Sequence, residues 1–261
     1  MKEKVSIIII TYNEEKNIAC CLESVAWADE IIIIDSFSKD KTLKITKRYT
    51  DKIFQREWPG YSIQRNFGLA QATSEWIIFI DADERISSLL ADEIKKGLRN
   101  GFEFDGYYLL RQSFYVGKMI KHGEWSPDWK LRLVKKEKAQ WAGPRVHEQL
   151  LLNGRAAYLE GPIYHFTYRN IGQRLKKVNL YSSLFAQDAT ERGERVSLRE
   201  LAWSPLERFR DGYWRKKGFK DGWPGLVIAA LQSLEVFLRY LKLLFLNLSG
   251  SEFSKKHNKV V

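Results

Sequence analysis

The sequence predicts an α/β fold: a doubly wound, mixed but mostly parallel sheet with a C-terminal helical extension. Three observations carry that prediction. Short unbroken runs rich in Ile alternate with segments of helical periodicity over the first hundred residues. Each run stops abruptly at polar residues. Beyond about residue 166 the alternation gives way to long apolar and basic segments.

Val5–Ile10, Ile31–Asp35 and Trp76–Asp81 are the Ile-rich runs, of the kind that suits strands buried on both faces. Asn13 is placed to cap a helix carrying Ile18, Leu22 and Val25 at spacings of four and three. Asp40 is placed to cap a second, and Ser62–Ala72 and Ser88–Arg99 form a third and a fourth. Short links between alternating strands and helices imply right-handed crossovers. From residue 105 the pattern changes to strands at Asp105–Gln112, Lys130–Lys135, Glu148–Leu152 and Arg155–Glu160. Asn153-Gly154 reads as a hairpin turn joining the last two. A small antiparallel extension of the main sheet is expected there.

The 261 residues are 44% hydrophobic and 29% charged, ordinary for a folded chain. Adjacent Cys20 and Cys21 have no metal-ligand spacing and build no disulfide framework. With a strand starting at Val5, no secretory leader is expected, and the expected compartment is the cytoplasm. Residues 1–165 hold 25 Lys+Arg against 23 Asp+Glu, net +2; residues 166–261 hold 18 against 9, net +9. The expected division is therefore 1–165, catalytic, and 166–261, basic and helical. Such asymmetry suits an anionic surface, lipid or nucleic acid. No helix-turn-helix, zinc or RNP-type signature accompanies the charge, so nucleic acid is not the expected partner.

Ligands of doubly wound sheets bind outside the carboxyl ends of the strands. Here those ends read Thr11-Tyr12-Asn13-Glu14, Asp35-Ser36 and Asp81-Ala82-Asp83. Neither GxGxxG nor a Walker lysine motif is present, which disfavours a dinucleotide dehydrogenase or a P-loop enzyme. Asp81 and Asp83 offer carboxylate oxygens suited to Mg²⁺ or Mn²⁺ bridging a diphosphate. Two loop acids solvating a strand end would look the same in isolation; the other polar strand ends tip the balance.

In order and spacing, VSIIIITYNEEKNI, IIIIDSFSKDKT and QRNFGLAQATSEWIIFIDADE resemble the family-two glycosyltransferases over roughly residues 3–100. WSPDWKLRL and GPRVHEQL resemble, more narrowly, the bacterial branch of β-1,4-glucosyltransferases that builds the lipopolysaccharide inner core. The resemblance implies an A-type, Rossmann-like catalytic domain and an inverting, metal-dependent hexosyl transfer. The donor would be a UDP-sugar, glucose foremost, and the acceptor a lipopolysaccharide core or other glycolipid. A polyprenyl phosphate acceptor would share every nucleotide-site residue.

It also implies roles. Thr11, Tyr12 and Glu14 line the nucleotide pocket, and Asp35 accepts a hydrogen bond from uracil unless it merely caps the following helix. Arg65 reaches the base or phosphates. Asp81 contacts ribose or the hydrated metal, and Asp83 holds the cation. His147 stands as a third metal ligand, a phosphate contact or a structural histidine. Glu148 is the first choice of general base and Asp128 the second; Val146-His147-Glu148 carries His-Glu where many relatives carry Glu-Asp. Arg132 and Arg145 are candidates for gripping the diphosphate or an acidic acceptor.

Gly172–Arg192 has helical periodicity, and Leu226–Leu248 is a long apolar helix. Gln232, Glu235, Arg239 and Lys242 fall on one face of it at spacings of three, four and three. Mid-span charges are costly, so the expectation is a helix lying on the inner-leaflet surface, polar stripe outward. Packing of that helix on protein is the alternative.

Overall fold

The computed structural model describes residues 3–143, 148–168 and 171–257. The chain divides into two compact units, Met1–Gln112 with Asp128–Phe166, and Ser113–Pro127 with Thr167–Val261.

The first unit is built on β1 (Val5–Thr11), β2 (Glu30–Asp35), β3 (Ile53–Gln55) and β4 (Trp76–Asp81), paired parallel in the order β3-β2-β1-β4. Every residue of β1 is buried. Side chains alternate along a strand, so one Ile run serves two cores. Ile7 and Ile9 join Ile18, Leu22 and Val25 of α1 (Ile18–Val25), and Leu90, Ile94 and Leu98 of α4 (Ser88–Asn100). Ile8 and Ile10 face the other way, with Ile32, Ile34 and Leu69. Leu69 belongs to α3 (Tyr61–Gln71). Gly68 of the same helix lets it close on the sheet; a Cβ there would stand 2.5 Å from Ile8 Cγ2. The short α2 (Thr42–Thr46) completes the helices of this unit; its N-cap position is Lys41, and Asp40, expected there, accepts the Thr42 N–H on Oδ1 from one residue earlier.

The sheet then turns antiparallel through β8 (Trp129–Lys135) and β6 (Gly106–Tyr115), and continues to β11 (Ala156–Tyr168) and β5 (Glu84–Ile86). The two-residue β7 (Lys118–Met119) pairs with β6. Tyr107 is opposite Leu133 but Tyr108 is opposite Leu131, so Arg132 is the extra residue of a bulge. Leu133 consequently packs in one core and Leu131 against the other, although they are two residues apart.

Two local expectations are corrected. Asn13 caps no helix, because α1 starts only at Ile18. Instead it takes a left-handed φ of 54°, which Asn tolerates. Its N–H donates to Ser38 Oγ and its Oδ1 accepts from Lys39 N–H, tying the loop after β1 to the loop after β2.

Asn153-Gly154 does not join a hairpin. β10 (Gln149–Leu152) pairs with β9 (Ala139–Ala142), and β11 enters the main sheet. Leu150 and Leu152 pack against the core that contains Trp141, which decides the pairing over the local turn signal. Asn153 N–H extends the β9–β10 pairing by donating to Lys138 O, and the turn closes around Asp105, whose carboxylate accepts from Arg155 N–H.

The second unit holds α5 (Ile171–Glu191), α6 (Leu198–Arg210), a π-helical turn at Asp211–Arg215, and α7 (Trp223–His257). Ser197 and Glu200 close a capping box at the start of α6. α5 and α6 both pack on α7. The polar stripe of α7 is not turned to solvent. Glu235 accepts from Arg174 of α5 at 2.8 Å and pairs with Arg239. Lys242 Nζ donates to Asn179, Ser182 and Ser183 of α5, each at 2.8 Å. Among the described residues, no helix is long and apolar enough to cross a membrane.

Candidate active site

Register brings the polar strand ends side by side. Thr11 is opposite Asp35 on β2, and Ile10 is opposite Asp81 on β4. The three segments singled out in sequence therefore share one edge of the parallel sheet, where ligands of this architecture bind.

Asp81 is the centre of a charge network. Its Oδ1 accepts from Arg65 Nη2 at 2.7 Å, and its Oδ2 from Arg132 Nη2 at 3.1 Å. Arg65 is buried, its guanidinium 4.3 Å from the Trp141 ring centroid and 5.3 Å from that of Tyr61. Arg132 also donates to Glu84 Oε1 at 3.1 Å, and Glu84 Oε2 accepts the Asp81 N–H at 2.9 Å. Glu84 is fully buried. Burial alone would raise the Asp81 carboxyl, but the charges of Arg65 and Arg132 outweigh it and hold it well below the usual carboxylate range. For Arg132 burial is likewise outweighed, by Glu84 and Asp81, and its guanidinium is pushed further up.

The network continues to Asp128. Arg111 Nε and Nη2 both approach Asp128 Oδ2, at 2.8 and 2.7 Å, while Lys130 Nζ lies 3.0 Å from Oδ1. Arg111 Nη1 stands 3.5 Å from Glu84 Oε1. Burial raises Asp128 and the cations overcome it, so its carboxyl titrates below the ordinary value.

Asp83, two residues past the end of β4, has Oδ2 3.3 Å from His165 Nε2 on β11. The sequence around the aspartate pair contains no histidine; β11 brings one by pairing His165 with Glu84. Among the described residues, no group of three or more His, Cys, Asp or Glu side chains is gathered as a metal cage. His147 and Arg145 lie outside the described residues.

Asp35 is fully buried, and its oxygens accept from Ser38 N–H and Oγ and from Gln55 Nε2. It fixes the turn after β2 and caps no helix, since α2 begins only at Thr42. Tyr12 is exposed. Glu14 accepts from Asn17 Nδ2 and its N–H donates to Thr42 Oγ1. Glu148 immediately precedes Gln149, which pairs with Ala142 beside Trp141.

Five buried side-chain atoms of this unit have no hydrogen-bond partner among the described residues: Thr11 Oγ1, Gln64 Oε1, Arg132 Nη1, Trp141 Nε1 and Glu148 Oε1. The first four belong to a strand end named above or to a residue tied to one: Arg132 bonds Asp81, Gln64 donates to Ser36, and Trp141 stacks on Arg65. Buried polar groups are seldom left unpaired, and those that are mark places where ligand or water completes the site.

Sequence reasoning missed Glu84, Arg111 and His165. Glu84 carried a signal, as a third acid in the run Asp81-Ala82-Asp83-Glu84 directly after an apolar strand. Arg111 and His165 had none, since strand pairing alone brings them here.

The fold is that of a glycosyltransferase. The family model described as glycosyl transferase family 2 matches residues 6–101. A glycosyltransferase of Rickettsia typhi is 31% identical, across 99% of this chain and 92% of its own length. The lipopolysaccharide core biosynthesis glycosyltransferase LpsC of Rhizobium meliloti is 29% identical, across 92% of this chain and 94% of its own. The crystal structure of S. aureus TarS 1–349 in complex with UDP-GlcNAc superposes with a TM-score of 0.50 at 17% identity, over 90% of this chain and 81% of that one. That last likeness is one of fold, the A-type arrangement. The chain belongs to glycosyl transferase family 2.

Proposed function

We propose that the enzyme transfers a hexose, glucose foremost, from a UDP-sugar to a hydroxyl of a lipopolysaccharide core or similar glycolipid, with inversion at the anomeric carbon. The observation that carries this is the set of unpartnered buried polar atoms around the Asp81 network, at the carboxyl edge of a parallel sheet. The UDP-sugar is supported by the nucleotide-sugar complex of the TarS neighbour, and the acceptor by the name and full-length coverage of LpsC.

Arg65 and Arg132 supply positive charge for the diphosphate, held in place by Asp81. Thr11 Oγ1 and Gln64 Oε1 supply polar contacts for the nucleoside. Asp83 and His165 fit a divalent cation, since one carboxylate oxygen and one imidazole nitrogen leave positions for diphosphate oxygens. When bound, Mg²⁺ or Mn²⁺ neutralises charge that grows on the departing diphosphate.

Glu148 takes the proton of the acceptor hydroxyl. The hydroxyl oxygen forms its bond to the anomeric carbon from the side opposite the leaving group, the bond from that carbon to the diphosphate oxygen breaks, and UDP departs with the electron pair. Glu148 is favoured over Asp128 because its Oε1 is buried without a partner among the described residues, whereas both Asp128 oxygens are held by cations.

Next to Asp128, the exposed rings of Trp129 and Tyr158 lie 5.0 Å apart, with Tyr108 stacked on Tyr158 at 5.1 Å. Such rings suit the apolar face of an acceptor sugar. A lipid-borne acceptor places the enzyme peripherally on the cytoplasmic face of the inner membrane.

The test is turnover of a panel of nucleotide sugars with and without Mn²⁺ or Mg²⁺, with Asp83→Ala as control. Metal-dependent turnover of one UDP-sugar, lost in the variant, supports the proposal. Failure of every nucleotide sugar to bind in the presence of metal overturns it.

A further inference from the structure

On α7, Leu226, Ala230, Leu234, Phe237, Leu241 and Phe245 follow one another at spacings of four, four, three, four and four. That is the repeat of a single helical face. Leu226, Ala230, Leu234, Phe237 and Phe245 are exposed, Phe245 by 62%, and Leu241 is half-buried. The strip is apolar at every position and about 29 Å long at 1.5 Å per residue. The polar stripe of the same helix is spent inside the unit, on Arg174, Asn179, Ser182 and Ser183 of α5. The usual amphipathic arrangement is thus reversed, with charge turned towards protein and hydrocarbon turned out. An exposed apolar surface of this extent marks an interaction site.

We propose that this strip of α7 is the surface by which the enzyme seats on an anionic lipid bilayer, resting on the reading that its acceptor is lipid-borne. Two observations choose lipid over protein. First, residues 166–261 carry eighteen Lys+Arg against nine Asp+Glu. A second copy would bring the same excess charge against itself, whereas anionic headgroups attract it. Secondly, the turn before α7 carries exposed Trp214 and Phe219 among exposed Arg215, Lys217 and Lys220, and α6 adds exposed Trp203. Aromatic rings interleaved with bases suit the headgroup layer. The helix lies along the bilayer instead of through it, since no described helix meets the requirement for spanning.

The experiment is co-sedimentation of the full chain with vesicles of phosphatidylcholine alone, or mixed equally with phosphatidylglycerol, for the wild type, Phe237→Glu and Phe245→Glu. Both positions are exposed, so retained thermal melting checks the fold of each variant. Binding to the mixed vesicles is expected, weakened by salt, and each substitution is expected to lower it about tenfold or more. Equal binding of wild type and folded variants overturns the proposal. So does a wild type that ignores the mixed vesicles, or light scattering that shows a dimer dispersed by the substitutions. Vesicle binding needs no sugar donor, so its loss alongside intact nucleotide-sugar turnover overturns the lipid surface alone. Intact vesicle binding in a protein that turns over no nucleotide sugar overturns the transferase reading alone.

Discussion

Arg111 closes on Asp128 with two nitrogens, Nε and Nη2, that converge on the single oxygen Oδ2 at 2.8 and 2.7 Å. With Lys130 on Oδ1, the carboxylate has a cation at each oxygen. A general base must accept a proton, and this one is surrounded by charges that oppose protonation.

The two candidate bases should therefore separate kinetically. Glu148→Gln is expected to lower kcat by about 10²–10⁴-fold with donor affinity unchanged. Asp128→Asn is expected to lower the denaturation midpoint and to change kcat much less. Initial rates and donor binding measured on both variants decide it; a larger kcat loss in Asp128→Asn would reverse the assignment.

Arg132 neutralises two acids at once, one of them fully buried. Its replacement by Met strands Glu84 without its nearest cation, and removing one partner of a buried pair costs about 3–5 kcal/mol. Urea denaturation of Arg132→Met reads the loss directly. A change within the error of the measurement would mean that the pair contributes nothing to folding.

Acid should unfold this protein partly through Asp81. Its folded pKa is depressed, so the stabilisation is fully present above its unfolded value of about 3.9 and drains away as pH falls below that. Glu30 acts in the same direction. Burial opposes the shift, but Lys52, Ser6 and Thr73 bring its carboxyl down to about 2, so its contribution is lost as pH falls towards that value. Asp81→Asn is expected to be less stable than wild type at neutral pH, with the gap narrowing in acid. Urea midpoints across an acid series test this, and parallel curves for the two proteins would refute it.

Gly68 opposes ordinary helix propensity. Ala is better in a helix interior by about 1 kcal/mol, yet a Cβ at Gly68 would lie 2.5 Å from Ile8 Cγ2 and 3.3 Å from Ile34 Cγ1. Overpacking a tight core costs about 1–3 kcal/mol. Gly68→Ala should therefore lower the melting temperature; a rise would show that the Ile side chains yield freely.

Three of the four parallel strands were legible because each is a contiguous apolar run, and their ends follow from the runs; β3, only three residues long and ending in Gln55, carried no such signal. What sequence could not supply is long-range pairing. Arg111, Arg132 and His165 arrive at the site on β6, β8 and β11, strands whose neighbours are set by contacts far apart in the chain. The turn at Asn153-Gly154 shows the opposite error, a strong local signal overruled by the burial of Leu150 and Leu152. On α7 the helical period showed the polar stripe, but periodicity alone does not say which face meets protein.

The bulge in β8 ties length to charge. Arg132 has no ladder partner of its own, yet it bonds both Asp81 and Glu84. Regularising the strand at its present length would return Leu131 and Leu133 to one side of the sheet, whereas deleting Arg132 would heal the pairing with both leucines in place and remove the cation. The interruption thus works as a ratchet tooth. It holds the two ends of β8 out of phase, and any slip of the strand that erases it also withdraws the cation from the acids it serves.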